Sequence, residues 1–248
     1  MVKQSVYTWR PFKLMMCAGP NIGLWLPLVL LTLLMAGCTS VSSGLNVKNL
    51  AKSDVDLVAD IHRRETSQLL QQLTTKLYLR NPNQLRRKPG ETIESRWNAI
   101  VAYSVGSRTS PELRNLSDID AMRLAFDPAF AGDRVFALMV GLASMLSEAY
   151  GYKQEFYWLD SLDQQRLYNS ARNIEVMVWL LRTRMDDRGR PLILTDTLSD
   201  SSFNLSFERL FGKLIAHQDA LSMVIAGKTQ RAVNTVAHSL VSMTFIPL

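Results

Sequence analysis

Apolar residues recur at every third or fourth position through most of the chain after residue 53, which is the spacing of one buried face of an α-helix. Stripes with this spacing comprise Val58, Ile61, Leu69, Leu73 and Leu77; Ile93, Trp97, Ile100 and Val101; Leu167, Ala171, Ile174, Val178 and Leu181; Phe207, Leu210, Leu214, Leu221 and Ile225; and Val233, Val236 and Leu240. Each stripe predicts a helix that buries its apolar face against other helices.

Residues that favour helix ends flank these stripes. Polar pairs with the spacing of a helix start are Ser53 and Asp56, Ser117 and Asp120, and Ser161 and Gln164. Pro82 ends the first predicted helix, and the short helix that follows Ser117 stops near Phe126, before Asp127-Pro128. Gly227 is placed to end the helix that begins near Phe207, because glycine readily adopts the left-handed conformation found after many helices.

The segment from residue 135 to residue 146 is apolar on nearly all sides. A helix without a polar face must be covered by neighbours, and the small residues Ala137, Gly141 and Ala143 would let those neighbours approach closely. We expect it to be the central helix of the fold; the alternative is a membrane-inserting hairpin or a lipid-contacting surface. The whole pattern predicts an all-α domain, either a multi-helix bundle or an orthogonal array of about six to seven helices.

The first 38 residues follow a different pattern. The chain begins with a positively charged leader that contains no acidic residue. Residues 22–35 follow and form an almost continuous apolar run of about 14 residues. A membrane-spanning helix needs about 20 residues, so this run fits a permanent span poorly. Ala36, Gly37 and Cys38 follow it directly. This order of charge, apolar run, small residues and cysteine resembles the export signal of bacterial lipoproteins.

The resemblance implies a chemistry for Cys38. A diacylglycerol group would be attached to its thiol, the chain would be cleaved between Gly37 and Cys38, and the new amino group would be acylated. The protein would then contact a membrane through the acyl chains on Cys38. Thr39, in place of the Asp linked with retention in the inner membrane, favours the outer membrane, with the domain facing the periplasm.

Cleavage would divide the chain into a signal peptide over residues 1–37, a flexible Ser-rich tether over residues 38–53 and one helical domain over residues 54–248. Cys17 would leave with the signal peptide. The mature protein would keep Cys38 alone, already acylated, so no disulfide and no thiol catalysis is expected.

The charge balance also depends on the leader. The whole chain carries a formal net charge of +6, which falls to +3 without Lys3, Arg10 and Lys13. So small an excess gives no reason to expect nucleic-acid binding. The densest basic group, Arg86-Arg87-Lys88, lies between prolines and predicts a solvated loop; the alternative is a contact with anionic lipid head groups.

Residues that carry chemistry are scarce. The first predicted helix contains Asp56, Asp60, His62 and Glu65. The two arginines that follow His62 favour salt bridges there over a metal or general-base site. His217 and His238 have no partner at helical spacing and are expected to be ordinary polar residues. No nucleophile elbow, zinc-protease motif, phosphate-binding loop or dinucleotide fingerprint is present, so the sequence predicts no catalytic residue, no metal and no cofactor.

These observations favour a non-enzymatic, lipid-anchored envelope protein that docks on an envelope partner as an accessory, tethering or assembly factor. A carrier or sensor of an apolar ligand or lipid is the alternative, since Tyr150, Tyr152, Phe156, Tyr157 and Trp158 could line a cavity. A cell-wall hydrolase is the third hypothesis, and it requires two facing carboxylates in a cleft, one of them desolvated.

Overall fold

The computed structural model describes residues 52–105, 110–157, 160–195, 205–229 and 244–248. In these ranges the chain is helical and forms no strand; Met185 and Pro191 make a single isolated β-bridge. The predicted all-α fold is confirmed. The signal peptide, Cys38, the tether up to residue 51 and the expected helix near residues 233–240 lie outside the described residues.

The α-helices are α1 (Asp54–Arg80), α2 (Pro82–Leu85), α3 (Ile93–Ser104), α4 (Asp118–Ala125), α5 (Arg134–Ala149), α6 (Gln164–Thr183) and α7 (Ser206–Thr229). A 3-10 turn, Pro111–Leu113, lies between α3 and α4.

The start of α1 follows the sequence prediction. The Ser53 hydroxyl accepts the Asp56 N–H at 3.3 Å, and the Asp56 carboxylate accepts the Ser53 N–H at 2.8 Å, which completes a capping box. Helix α6 departs from its prediction, because its cap is Asp163 and not Ser161. One oxygen of Asp163 accepts the N–H groups of Gln165 and Arg166, and a carboxylate is well suited to the positive end of a helix.

The predicted end of α7 at Gly227 is wrong, since the helix continues to Thr229. Gly227 does not adopt a positive φ, so it does not supply the left-handed turn that would stop the helix. The Thr229 hydroxyl instead donates to the Ile225 carbonyl at 2.9 Å within the last turn. Ile61 is a second correction: it is exposed, because the buried stripe of α1 runs through Ala59 and Thr66.

Helix α5 is the centre of the domain, as its apolar sequence predicts. Every residue of α5 except Ser147 and Glu148 is buried, and the helix contacts α1, α3, α4 and α6. Gly141 allows α4 to pass at close range: a Cβ added there would lie 2.5 Å from the backbone nitrogen of Met122 and 2.6 Å from the carbonyl oxygen of Asp118. The missing side chain therefore sets the distance between the two helices.

Helices α6 and α7 pack against each other, and α7 also contacts α1. A second, smaller apolar cluster forms on this side of the domain from Ala59, Ala149, Tyr150, Phe156, Leu167, Leu221 and Ile225. The C-terminal residues 244–248 lie against α6, where Phe245 enters the main core. Asn173 holds this segment by donating to the Ile246 carbonyl at 2.8 Å and accepting the Ile246 N–H at 2.7 Å.

Candidate functional site

A cleft of about 80 Å³ lies between α1, α3, α5 and the residues that follow α5. We call it the α1–α3–α5 cleft. Its floor is apolar and is formed by Leu70, Ile100, Ala143 and Leu146, which are all buried. Ile100 belongs to a predicted apolar stripe and Ala143 and Leu146 to the apolar segment 135–146, whereas Leu70 lies beside the predicted stripe of α1. The cleft is therefore a gap in the packing of the core.

The rim of the cleft exposes apolar side chains of α3. Val101 is 39% exposed and Val105 is 42% exposed, and Trp97 beside them is partly buried. On the opposite side Arg63 donates to the side-chain oxygen of Gln154 at 3.0 Å. No carboxylate lies within ion-pair distance of Arg63 among the described residues, and none lines the cleft. The α1–α3–α5 cleft therefore has an apolar floor and a basic rim.

The back wall of the cleft is fixed by a buried hydrogen-bond network. The Gln218 side chain of α7 donates to the Tyr150 hydroxyl at 3.2 Å and to the Thr66 hydroxyl at 3.3 Å. Burial raises the pKa of Tyr150 above its ordinary value, although the hydrogen bonds to Thr66 and Gln218 oppose the shift. Tyr150 therefore stays protonated and serves as a rigid wall, because its hydroxyl is already engaged.

The size of the cleft limits what it can hold. A cavity of about 150 Å³ can take up benzene, and pockets for small-molecule ligands usually measure about 300–1,000 Å³. The α1–α3–α5 cleft is too small for an acyl chain but suits the tip of one inserted side chain. Of the aromatic residues that the sequence offers for a pocket, Tyr150 lines this cleft, Phe156 is buried in packing, Tyr152 is exposed, and Trp158 lies outside the described residues.

Carboxylates meet in a buried ion cluster between α3 and α5. The Arg96 guanidinium donates to Glu112 at 2.6 and 3.0 Å and to Asp133 at 3.0 Å, and Tyr78 donates to Asp133 at 2.8 Å. Burial raises the pKa of Asp133, whereas the Phe136 N–H and the Arg96 charge oppose that shift. Although burial alone would raise it, hydrogen bonds from Arg96 and Lys88 hold the pKa of Glu112 below its ordinary value.

This ion cluster resembles part of what a hydrolase needs, since it has two carboxylates and one is desolvated. Arg96 lies between them, however, and Asp133 also caps α5 by accepting the Phe136 N–H at 2.9 Å. Neither carboxylate lines the α1–α3–α5 cleft. The arrangement is suited to joining helices rather than to protonating a glycosidic bond.

A second pair of carboxylates, on α6 and α7, is also bridged by an arginine. Arg172 lies 3.1 Å from Glu175 and 2.7 Å from Asp219. Burial raises the pKa of both carboxyl groups, and the Arg172 charge works against the shift. Asp219 of α7 therefore pairs with Arg172 of α6 and joins the two helices.

The structure brings together two histidines that the sequence treats separately. His62 of α1 and His217 of α7 face each other with their Nδ1 atoms 2.9 Å apart and their rings nearly perpendicular. Burial lowers the pKa of both, and the His217 charge lowers that of His62 further. No local pattern signals this contact, since the two residues are 155 positions apart.

The acidic residues near His62 have separate partners. Asp56 caps α1, and Asp60 accepts the Phe156 N–H at 2.9 Å and pairs with Lys52. Glu65 raises the pKa of His217 through its charge but does not outweigh burial. No group of three or more His, Cys, Asp or Glu side chains in the described part of the chain is arranged to hold a metal ion. Gly37, Cys38 and His238 lie outside it.

The fold and the α1–α3–α5 cleft define an all-α helical domain with a small apolar recess and a basic rim. No protein-family model, curated protein sequence or solved structure matches the chain. Within the described ranges, no helix combines the length and apolarity that crossing a membrane would need.

Proposed function

We propose that this chain is a lipid-anchored protein of the bacterial cell envelope whose helical domain binds an envelope protein as an accessory, tethering or assembly factor. The signal ending in Cys38 supports the anchor. Thr39 after it supports a position in the outer membrane, with the domain facing the periplasm.

One observation carries the binding function: the α1–α3–α5 cleft combines a small apolar recess with exposed apolar side chains at its rim. Protein interfaces concentrate binding energy where a single anchor side chain enters a desolvated pocket. A cleft of about 80 Å³ fits such an anchor, with Val101 and Val105 available to cover it from water.

The positive charge at the rim indicates which residue type the partner would place beside the cleft. Arg63 points a cation at the cleft with only the neutral amide of Gln154 as its partner among the described residues. A carboxylate on the partner would complement this charge and fix the orientation of docking. The partner segment therefore presents an apolar side chain of leucine size beside an Asp or Glu.

The anchor is tested by metabolic labelling with a fatty-acid probe and by membrane fractionation. Cys38→Ala should abolish the label and release the domain from membranes, whereas Cys17→Ala should leave both unchanged. Continued labelling of the Cys38→Ala protein would refute the anchor.

The docking surface is tested in living cells with a photo-reactive amino acid placed at position 101 or 105. Position 223 on α7 is the control, because Met223 is 67% exposed and lies away from the cleft. We expect one envelope protein to be captured from positions 101 and 105, and capture to fall when Val101→Asp accompanies the probe at position 105. Identical capture from position 223 would show that the cleft is not the docking surface.

A further inference from the structure

A second cleft, of about 360 Å³, lies where α1 and α2 meet, beside the start of α5 and the turn that follows α6. Arginines from separate parts of the chain line it: Arg80, Arg87, Arg134 and Arg190. We call it the arginine cleft. It is more than four times the size of the α1–α3–α5 cleft and shares no residue with it.

Arg134 is buried in the wall of this cleft without a carboxylate partner. Its guanidinium donates to the carbonyl oxygens of Ala125 at 2.8 Å, Asp127 at 2.7 Å and Pro128 at 3.1 Å. These three carbonyl groups take three of the five guanidinium N–H donors and do not neutralise the charge. Among the described residues, no carboxylate lies within ion-pair distance of Arg134.

Arg87 is exposed at the same cleft and is likewise bonded to a neutral group, the Ala131 carbonyl. Burial lowers the pKa of Arg134, and the positive charge of Arg87 lowers it further, with only a partial opposing effect from Asp127. Two neighbouring cations thus repel each other at the mouth of a cleft large enough for a ligand.

The acidic residues of the cleft do not cancel this charge. Asp186 pairs with Arg190 at 2.8 and 3.0 Å and accepts the N–H groups of Arg188 and Arg190, so its charge is used within the turn. Asp187 is the other acidic residue of the lining. With that pair set aside, Asp187 is the one acidic residue of the lining that could offset the charges of Arg87 and Arg134.

We propose that the arginine cleft is a binding site for a phosphate-bearing ligand, held between Arg87 and Arg134. A phosphate group carries up to two charges and several acceptor oxygens, and guanidinium groups match it with parallel hydrogen bonds. The volume exceeds that of a phosphate ion, so it leaves room for the group to which the phosphate is attached. The site is independent of the docking function proposed above.

The probes are inorganic phosphate and phosphatidic acid, which separate a soluble ligand from a lipid head group. The mature lipidated protein, which begins at Cys38, is reconstituted in phosphatidylcholine nanodiscs, and its thermal midpoint is recorded against phosphate concentration or with phosphatidic acid added. A ligand that binds only the folded state raises the midpoint and yields a dissociation constant.

The variant Arg87→Gln should weaken phosphate binding about tenfold, because it removes one charge-assisted contact. Its side chain is exposed, so the fold should tolerate the change. Asp187→Asn should strengthen binding roughly two- to threefold, since it removes the opposing charge. Arg182→Gln is the matched control: Arg182 pairs with Glu208 away from the cleft and should bind as the wild type does.

The two probes decide the source of the ligand. A midpoint shift with inorganic phosphate that depends on Arg87 supports a soluble phosphate compound, and an Arg87-dependent shift confined to phosphatidic acid supports a lipid head group. Shifts of equal size in wild type, Arg87→Gln and Arg182→Gln, or no shift with either probe, would overturn the proposal.

Discussion

Arg96 and Asp133 form an ion pair of 3.0 Å in which the two side chains are only 1% and 0% exposed. The pair links α3 to the first turn of α5, and Arg96 also lies over the Phe136 ring at 4.1 Å. A buried charge is tolerated only while it keeps its partner. The pair is therefore a point at which the packing of α3 on the central helix is most sensitive to substitution.

Asp133→Asn should destabilise the domain by about 3 kcal/mol, because it leaves the Arg96 charge buried with Glu112 as its remaining carboxylate partner. The measurement is urea unfolding followed by circular dichroism. Asp120→Asn is the control: Asp120 pairs with Arg123, the two side chains are 61% and 54% exposed, and the loss should stay below about 0.5 kcal/mol. Equal losses for both variants would contradict a special role for the buried pair.

Gly141→Ala should destabilise the protein by about 2 to 3 kcal/mol, because the new methyl group would collide with the backbone of α4 at Met122 and Asp118. The matched control is Gly212→Ala in α7, where an added Cβ meets nothing within 4 Å. That change should stabilise the protein by about 0.5 to 1 kcal/mol through the higher helix propensity of alanine. Thermal unfolding of both variants distinguishes the two cases, and destabilisation of similar size would rule out the close approach.

The helices and the central position of α5 could be predicted because their causes are local. The Ser53 box and the uniform apolarity of residues 135–146 are visible in a short window of sequence. The ion cluster could not be predicted, since Arg96, Glu112 and Asp133 come from separate elements and Arg96 is an unremarkable residue within an apolar stripe. Pattern alone cannot show which arginine is buried.

The two clefts could not be predicted for the same reason, since their residues come from separate elements. Ile100 and Leu146 are recognisable from the sequence as apolar positions of helices, but the gap between them and Leu70 depends on how three helices pack. The loop containing Arg87 was expected to be solvated, and Arg87 is exposed. Its position opposite Arg134, 47 positions along the chain, depends on the tertiary fold.

Asn173→Ala should release the C-terminal segment from α6. It removes both hydrogen bonds to the Ile246 backbone, and we expect a loss of about 2 kcal/mol together with faster hydrogen exchange at the Ile246 amide. Asn169→Ala removes one bond to this segment, to the Pro247 carbonyl, and the bond that the Asn169 side-chain oxygen accepts from Gln165 at 2.8 Å within α6. It should therefore increase the exchange at Ile246 less than Asn173→Ala does. An unchanged exchange rate at Ile246 in the Asn173→Ala protein would show that the segment is held by Phe245 instead.

The contact between His62 and His217 should make stability depend on pH between 7 and 5. Burial lowers the pKa of both histidines in the folded state, whereas the unfolded chain binds protons near pH 6.5. Below that pH the unfolded state holds more protons than the folded state, so the free energy of unfolding decreases as pH falls, by up to about 1.4 kcal/mol per pH unit for each histidine. Glu65 and Lys213 face the pair with opposite charges, and Glu65 makes the decrease smaller.

His217→Gln should flatten this dependence, because it removes one titrating ring and the charge that acts on His62. The measurement is urea unfolding at several pH values between 5 and 7, read as the difference between wild type and variant. The comparison is needed because the carboxyl groups with raised pKa values, Asp133, Glu175 and Asp219, add a pH dependence of their own. His62→Gln should flatten the curve in the same way. The double variant should reduce the slope of unfolding free energy against pH by less than the sum of the two single reductions, because the histidines act on each other. Parallel curves for the wild type and both single variants would show that neither histidine has a lowered pKa in the folded state.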